Sequence, residues 1–180
     1  GVPIGLLCAV FMARYCPAGL YRILKPAVDL LAGIPSIVYG FFGLMVIVPM
    51  VQNMFGGSGK SLLTASVLLG IMILPTIISV AESNIRAVPE QYYEGSLALG
   101  ATHERSVFFV LLPAAKSGVL AGIILGIGRA IGETMAVIMI AGNQPIIPES
   151  ITSGVRTMTA NIVLEMGYAE GLHKEALIAT

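Results

Sequence analysis

Long apolar runs separated by short polar segments give the chain its pattern. The runs cover residues 34–51, 61–81 and 118–142, and residues 1–13 form a shorter one at the start. A helix that spans a bilayer needs about 20 predominantly apolar residues. The three longer runs therefore predict membrane-spanning helices. Residues 1–13 predict the end of a truncated span, and residues 172–180 the start of a further helix, so we expect a fragment that lacks its first and last spans.

The segments between the runs are short and polar. Residues 14–29 carry three basic residues and two tyrosines, which predicts an interfacial loop with at most a short helix on the membrane. Residues 52–60 predict a glycine-rich turn, and residues 143–170 a polar segment. Within the runs, small residues allow helices to pack backbone to backbone. The glycines expected to do so are Gly40, Gly43, Gly118, Gly122, Gly126, Gly128 and Gly132.

Composition supports the membrane assignment. Hydrophobic residues make up 56% of the chain and charged residues 11%, and the mean hydropathy is +0.90. Soluble domains are about 25% charged. The chain is therefore expected to be an all-α, polytopic transmembrane helical bundle. The formal net charge is zero, which gives no indication of nucleic-acid binding.

The most polar stretch, residues 82–113, predicts two short helices that meet at a sharp turn. Pro89 and Glu90 suit the first turn of a helix, and Gly100 can take the left-handed conformation that ends it. Thr102 can cap a second helix, and Pro113 is expected to interrupt it. Two short helices of this kind, exposed between membrane spans, suit docking to a partner protein. The alternative is an ordinary connecting loop.

Basic residues indicate the orientation of the chain. If residues 82–113 lie inside the cell, alternation of the spans places residues 14–29 inside as well. The inner segments then contain Arg14, Arg22, Lys25, Arg86, Arg105 and Lys116, and the outer segments contain Lys60, Arg156 and Lys174. This distribution agrees with the positive-inside rule.

Arg129 and Glu133 are charged residues inside the run 118–142. A charge near the centre of a bilayer costs at least a few kcal/mol, and such residues are typically functional. If the run is one helix, Glu133 lies one turn beyond Arg129 on the same face, with Thr134 beside it. The three residues are therefore candidates for lining a polar pathway, in which the guanidinium could bind an oxyanion. The alternative is an internal ion pair that holds the helices together.

Two other patterns do not support chemistry. Residues 55–61, FGGSGKS, resemble a phosphate-binding loop, but Met54 occupies the position of the required first glycine. A flexible hairpin between two spans is the better interpretation. His103 and His173 are far apart, and no cysteine or aspartate joins them in a metal-binding pattern. We therefore expect no metal, no cofactor bound by this chain and no enzymatic activity.

The polar stretch resembles the EAA loop of ABC-importer permeases. That motif, E-A-A-x-x-x-G followed by I-x-L-P, is matched by Glu94-Gly95-Ser96-x-x-x-Gly100 and Val110-Leu111-Leu112-Pro113, with small residues in place of the two alanines. Residues 32–40 (AGIPSIVYG), 128–137 (GRAIGETMAV) and 155–168 extend the resemblance to the PstC-type permeases of phosphate importers, within the binding-protein-dependent transport inner-membrane family. The resemblance covers nearly all of the 180 residues.

This resemblance implies a type I ABC-importer permease fold and a role as one half of the pathway of an ATP-driven phosphate importer. The implied partners are a PstA-type sister permease, a cytoplasmic ATPase dimer that binds the ATP, a periplasmic phosphate-binding protein, phosphate and the lipid of a bacterial inner membrane. Residues 1–180 would form a single transmembrane domain, with residues 14–29 and 82–113 in the cytoplasm. The implied ATPase-docking residues are Glu94, Gly95, Ser96, Gly100, Leu112 and Pro113.

Two alternatives are open at this stage. One is a permease of the same fold for another oxyanion, such as sulfate or molybdate, which competition between labelled anions would distinguish. The other is a channel or scaffold subunit that works without an ATPase and would therefore not retain one.

Overall fold

The computed structural model describes residues 1–179, and the elements found in them are helices joined by turns and one isolated backbone bridge. The prediction of an all-α fold is therefore confirmed for this part of the chain. The helices are α1 (Val2–Tyr15), α2 (Ala18–Gly33), α3 (Ser36–Phe55), α4 (Leu62–Arg86), α5 (Glu90–Ala98), α6 (His103–Ala114), α7 (Lys116–Gly132), α8 (Met135–Ile140), α9 (Met158–Glu165) and α10 (Leu172–Ala179). Thr180, predicted to belong to the last helix, lies outside the described residues.

The chain divides into two units, each with its own apolar core. Unit 1 contains residues 1–33 and 73–130, and unit 2 contains residues 34–72 and 131 onward. The core of unit 1 joins α1, α4, α6 and α7 through Ala9, Val10, Ala81, Ile85, Val88, Val107, Leu111, Ala115 and Val119. The core of unit 2 joins α3, α4 and α8 through Tyr39, Ile47, Val48, Val51, Ala65, Leu68, Met72, Ala136, Val137, Ile140 and Ala141.

Two helices are long and apolar enough to cross a membrane, α3 and α4. They cover most of the first two predicted spans, 34–51 and 61–81, but each begins slightly later than predicted and extends further at its C-terminal end. A third span is counted only if α6 and α7, which bend by 72° where they meet, are taken together. The bend lies at Ala115, two residues after Pro113, so the helix breaks just beyond the proline at which a break was predicted.

The prediction of one continuous helix over residues 118–142 is wrong. Helix α7 ends at Gly132, Glu133 and Thr134 are not helical, and α8 begins at Met135. The Glu133 carboxylate accepts a hydrogen bond from the backbone N–H of Ala136 at 3.1 Å, and so satisfies a donor in the first turn of α8. Because glutamate has a side-chain acceptor for the new helix, the apolar run can be divided here without leaving that N–H unpaired.

Residues 14–29 also differ from the predicted loop, because most of them belong to α2. The helix begins directly after Pro17, and it keeps Pro26 inside it. Its sequence places Tyr21, Leu24 and Val28 at helical spacing on one partly buried face, whereas Leu20, Ile23 and other apolar residues remain exposed. Contacts of this face with unit 1, such as the hydrogen bond from Tyr21 to Glu82, therefore hold as a helix a segment whose charges indicated a loop.

The glycine-rich segment 56–61 is a hairpin, as predicted. Gly56, Gly57 and Gly59 have positive φ angles, which side chains with a Cβ rarely adopt. The backbone N–H groups that begin α4 donate to carbonyl oxygens of unit 2: Ser61 to Ile140 at 3.1 Å and Leu62 to Ser153 at 3.0 Å. These donors, which a phosphate loop would turn toward its ligand, are therefore occupied by protein acceptors.

Several of the glycines bring helices into close contact. In unit 2, a Cβ on Gly40 would lie 2.9 Å from the Cα of Ala136 in α8. In unit 1, Gly118, Gly122 and Gly126 of α7 face Asn84, Val80 and Ile77 of α4. The predicted role of these positions in helix packing is confirmed. Gly128 and Gly132 have no atom of the described residues within 4 Å of the corresponding position.

We expect Gly40→Ala to destabilise the protein by about 1–3 kcal/mol, because its methyl group meets the backbone of α8 at Ala136, which cannot move aside as the side chain of Met139 can. The matched control is Gly128→Ala, which has room for the methyl group and should be neutral or mildly stabilising. Thermal unfolding of the full-length protein in detergent measures both. Equal unfolding temperatures for the two variants would contradict the packing account.

Candidate functional site

The first half of the candidate site is α5 with the turn that ends it. Pro89 precedes the helix and Glu90 lies in its first turn. Gly100 has φ = +86°. The N–H of Gly100 donates to Leu97 O at 2.9 Å, and the N–H of Ala101 donates to Ser96 O at 3.1 Å. This pair of bonds defines a Schellman motif with glycine in its left-handed position. The predicted glycine turn is confirmed.

The second half is α6, which begins at a capped N-terminus. The hydroxyl of Thr102 accepts from the N–H of Arg105 at 3.3 Å, as predicted. Hydrogen bonds from the backbone N–H of Glu104 itself and from Thr102 lower the pKa of the Glu104 carboxyl. A negative charge is thus held in the first turn, where it interacts favourably with the helix dipole.

Side-chain hydrogen bonds fix the two helices to each other. The Ser96 hydroxyl lies 2.7 Å from Ser106 Oγ and 2.8 Å from Tyr93 O, and its single proton can be donated to either. Ser106 is fully buried and donates to Thr102 O. Tyr93 Oη lies 2.8 Å from His103 Nδ1. The serine that replaces an alanine of the motif therefore makes a contact between α5 and α6 that alanine lacks.

We call residues 90–114, which form α5, the turn and α6, the knob. Its surface combines exposed apolar side chains with charges. Leu99 at the turn is 92% exposed and Phe109 is 74% exposed. They line a groove of about 470 Å³ together with Ser96, Gly100, Ala101, Arg105 and Val110. Exposed apolar groups framed by charged ones are typical of a protein interaction surface.

The proposed docking residues do not all lie on this surface. Glu94, Gly95 and Gly100 are exposed, Ser96 is partly buried, and Pro113 is exposed at the far end of α6. Leu112 is partly buried and packs against the core of unit 1. Leu112 thus holds α6 in place, whereas the exposed residues form the accessible part of the knob.

The charged residues near the end of α7 do not form the expected helical pair. Arg129 is partly buried in the last turns of α7, but Glu133 follows the end of that helix. The prediction that both lie one turn apart on a single helix face is therefore wrong. Among residues 1–179, the ion pairs involve other cations: Arg14, Lys25, Arg86 and Arg156. Thr134 donates to Gly132 O at 3.2 Å.

Sequence reasoning missed two groups of charged residues. Arg156 in unit 2 binds Glu165 at 3.0 Å and also donates to Asn161 and to the carbonyl of Asn143. In unit 1, Glu82 is 2% exposed and binds Tyr21, Lys25 and Arg86. The sequence carried one signal for the group around Glu82: this acidic residue lies four positions before the basic Arg86 at the end of α4.

The pKa of Lys25 reflects its position in this second group. Burial lowers the pKa of its ammonium, but the carboxylates of Glu82 and Asp29 outweigh that effect and raise it overall. The Lys25 side chain therefore stays charged at neutral pH, and the buried Glu82 retains a cationic partner.

Long apolar helices, with the knob exposed between them, indicate an integral membrane protein. Comparison with known proteins gives the family. Residues 1–176 match the family described as "Binding-protein-dependent transport system inner membrane component", and the chain belongs to that family.

Several curated proteins that resemble the chain are named as permeases. It is 42% identical to the probable ABC transporter permease protein YqgH of Bacillus subtilis, over 92% of this chain and 54% of that protein. It is 38% identical to the phosphate transport system permease protein PstC of Pasteurella multocida, over 98% of this chain and 62% of that protein. It is 37% identical to the phosphate transport system permease protein PstC of Mesorhizobium japonicum, over 99% of this chain and 61% of that protein. The chain thus spans somewhat more than half the length of these relatives.

Proposed function

We propose that the protein containing this chain is a permease subunit of an ATP-driven phosphate importer. The observation that carries the proposal is the knob, whose glycine turn, threonine cap and exposed groove give the docking-loop pattern of the sequence a rigid three-dimensional form. Relatives named as phosphate transport permeases support the substrate. The same evidence supports a bacterial inner membrane as its location, with the knob and α2 on the cytoplasmic side.

The partners follow from this role. The ATP would be bound and hydrolysed by a cytoplasmic ATPase dimer, because the one segment that resembles a phosphate loop has its helix-starting N–H groups bonded to protein carbonyls. A sister permease would complete the pathway, and a periplasmic binding protein would deliver phosphate. This chain would contribute the path and the docking surface and no catalysis or cofactor.

Arg129 is our candidate for contact with the transported anion. An oxyanion that crosses a layer of low dielectric constant loses most of its hydration, and a fixed positive charge offsets part of that cost. The guanidinium is planar and can bind two oxygens of an anion at once. Arg129 has no ion-pair partner within residues 1–179, which supports its availability. Glu133 and Thr134 would line the path beyond the end of α7.

Gly100→Val tests the docking role. The left-handed conformation costs a β-branched residue about 1–2 kcal/mol or more, so the turn should shift and α5 should lose its orientation to α6. We expect the variant to insert normally while ATP-driven phosphate uptake and retention of the ATPase in a pull-down are both lost.

The matched control for this variant is Gly95→Ala, since Gly95 is helical and nothing lies within 4 Å of its Cβ position. It should keep both activities. Normal uptake by Gly100→Val at normal expression would refute the docking role. The substrate is tested by competition with labelled phosphate. If an unlabelled excess of sulfate or molybdate blocked its uptake better than unlabelled phosphate does, the substrate would be reassigned.

Arg129→Gln tests the pathway. We expect uptake to fall by at least about tenfold, because the charge that offsets anion desolvation is removed. Arg129→Lys, which keeps the charge but not the planar fork, should retain part of the activity. Glu133→Gln keeps an acceptor for the N–H of Ala136 but removes a charge proposed to line the path, so it should insert normally and alter the rate of transport. Uptake that survives Arg129→Gln unchanged would assign the arginine to packing alone.

Single cysteines test the orientation. In a cysteine-free protein, a cysteine at Ser58 should react with a membrane-impermeant thiol reagent in intact cells, and one at Gln91 should react only after the cells are opened. Both positions are exposed, so burial does not decide the result. The reverse pattern of labelling would place the knob outside and remove the basis for ATPase docking.

A further inference from the structure

A buried carboxylate lies near the C-terminal end of α4. Glu82 is 2% exposed, and donors from two helices surround it. Tyr21 of α2 donates to Oε1 at 3.0 Å, and the ammonium of Lys25 lies 3.4 Å from Oε2. The guanidinium of Arg86, one turn along α4, also binds Oε1. Desolvation of a carboxylate is costly. The carboxylate of Glu82 can be buried because all of these partners compensate that cost.

Arg86 connects this carboxylate to a third helix. Its second terminal nitrogen donates to the carbonyl of Met12 in α1 at 2.8 Å, and its guanidinium stacks on the ring of Tyr21 with the centroid 4.0 Å away. Arg86 is the last residue of α4, and α5 begins at Glu90. The arginine therefore joins α1, α2 and α4 at the base of the knob.

The end of α1 also contacts the knob directly. Arg14 binds Glu90 of α5 at 3.0 Å, and the ring of Tyr15 packs edge-on against His103 of α6 at 4.7 Å between centroids. Both helices of the knob thus contact the last turn of α1, and Arg86 donates to the carbonyl of Met12 in that same turn.

The charges in the cluster balance. Lys25 and Arg86 are opposed by Glu82 and by Asp29, which binds Lys25 at 3.4 Å and accepts from Ser79 at 2.9 Å. Asp29 is half exposed and contacts neither Arg86 nor the knob in the described residues. Its removal should therefore perturb the same network without loosening the base of the knob.

We propose that Glu82 is a positioning residue which, by orienting Arg86, fixes α1 and α2 to the base of the knob, so that motion of the docking surface is transmitted to these helices rather than absorbed by a flexible joint. The effect of this motion on transport rests on the proposed function, whereas the fixed geometry of α1, α2 and the knob does not.

The test uses the full-length permease in its assembled complex. Glu82→Gln leaves Arg86 without a carboxylate, and we expect phosphate uptake per ATP hydrolysed to fall by about tenfold or more while the ATPase stays bound. Glu82→Gln/Arg86→Gln restores charge balance between Lys25 and Asp29. It should regain the unfolding temperature of the wild type but not its coupling, because the bond to the carbonyl of Met12 is still missing. Asp29→Asn is the matched control and should couple normally.

A second measurement does not depend on transport. Spin labels at the exposed positions Leu7 in α1 and Gln91 in α5 should give a narrow distance distribution in the wild type and in Asp29→Asn, and a broad one in both Glu82 variants. Unchanged distributions in both variants would overturn the proposal. Recovery of coupling together with stability in the double variant would also overturn it, since charge balance alone would then suffice. Narrow wild-type distances in a protein that does not transport phosphate would refute the proposed function and leave the positioning role standing.

Discussion

Backbone and side-chain polar groups removed from water must find partners inside the protein, and this requirement governs where the helices of this chain end. At the start of α4, Ser61 and Leu62 donate to carbonyls of unit 2. At the break between α7 and α8, Glu133 accepts from Ala136. At the knob, Gly100 and Ala101 complete a Schellman motif. Each interruption of an apolar helix is thus accompanied by specific acceptors or donors, and it is at these interruptions that the candidate functional residues are found.

Features that depend on a few neighbouring residues were predictable from the sequence. Gly100 and Thr102 encode their turn and cap within a short segment, because the left-handed conformation and the side-chain acceptor are local properties. The same holds for the hairpin at 56–61. Gly40 and the series Gly118, Gly122 and Gly126 indicated close helix packing, although the sequence did not show which helix each would meet.

Features that depend on distant parts of the chain were not predictable in this way. Hydrophobicity alone makes residues 118–142 one span, and the decision to end α7 at Gly132 depends on how Glu133 and Thr134 satisfy the next backbone groups. Two partners of Glu82, Tyr21 and Lys25, come from α2, more than fifty residues earlier in the chain. The charges of residues 14–29 suggested an interfacial loop, because nothing within that segment reveals that a buried carboxylate binds Tyr21 and Lys25.

The rigidity of the knob and its attachment answer different needs. Bonds within the knob, such as Ser96 with Ser106, preserve the shape that a partner would recognise. They do not determine how the knob is held relative to the membrane helices. That depends on Arg14 in the last turn of α1, which binds Glu90 of α5, and on Arg86 at the end of α4, which donates to the carbonyl of Met12 in α1. A docking surface can transmit force only if its base resists rotation. A chain in which the surface was intact but the base was loose would bind its partner and fail to respond to it. The buried cluster around Glu82 therefore belongs to the proposed coupling together with the exposed residues proposed to make the contact.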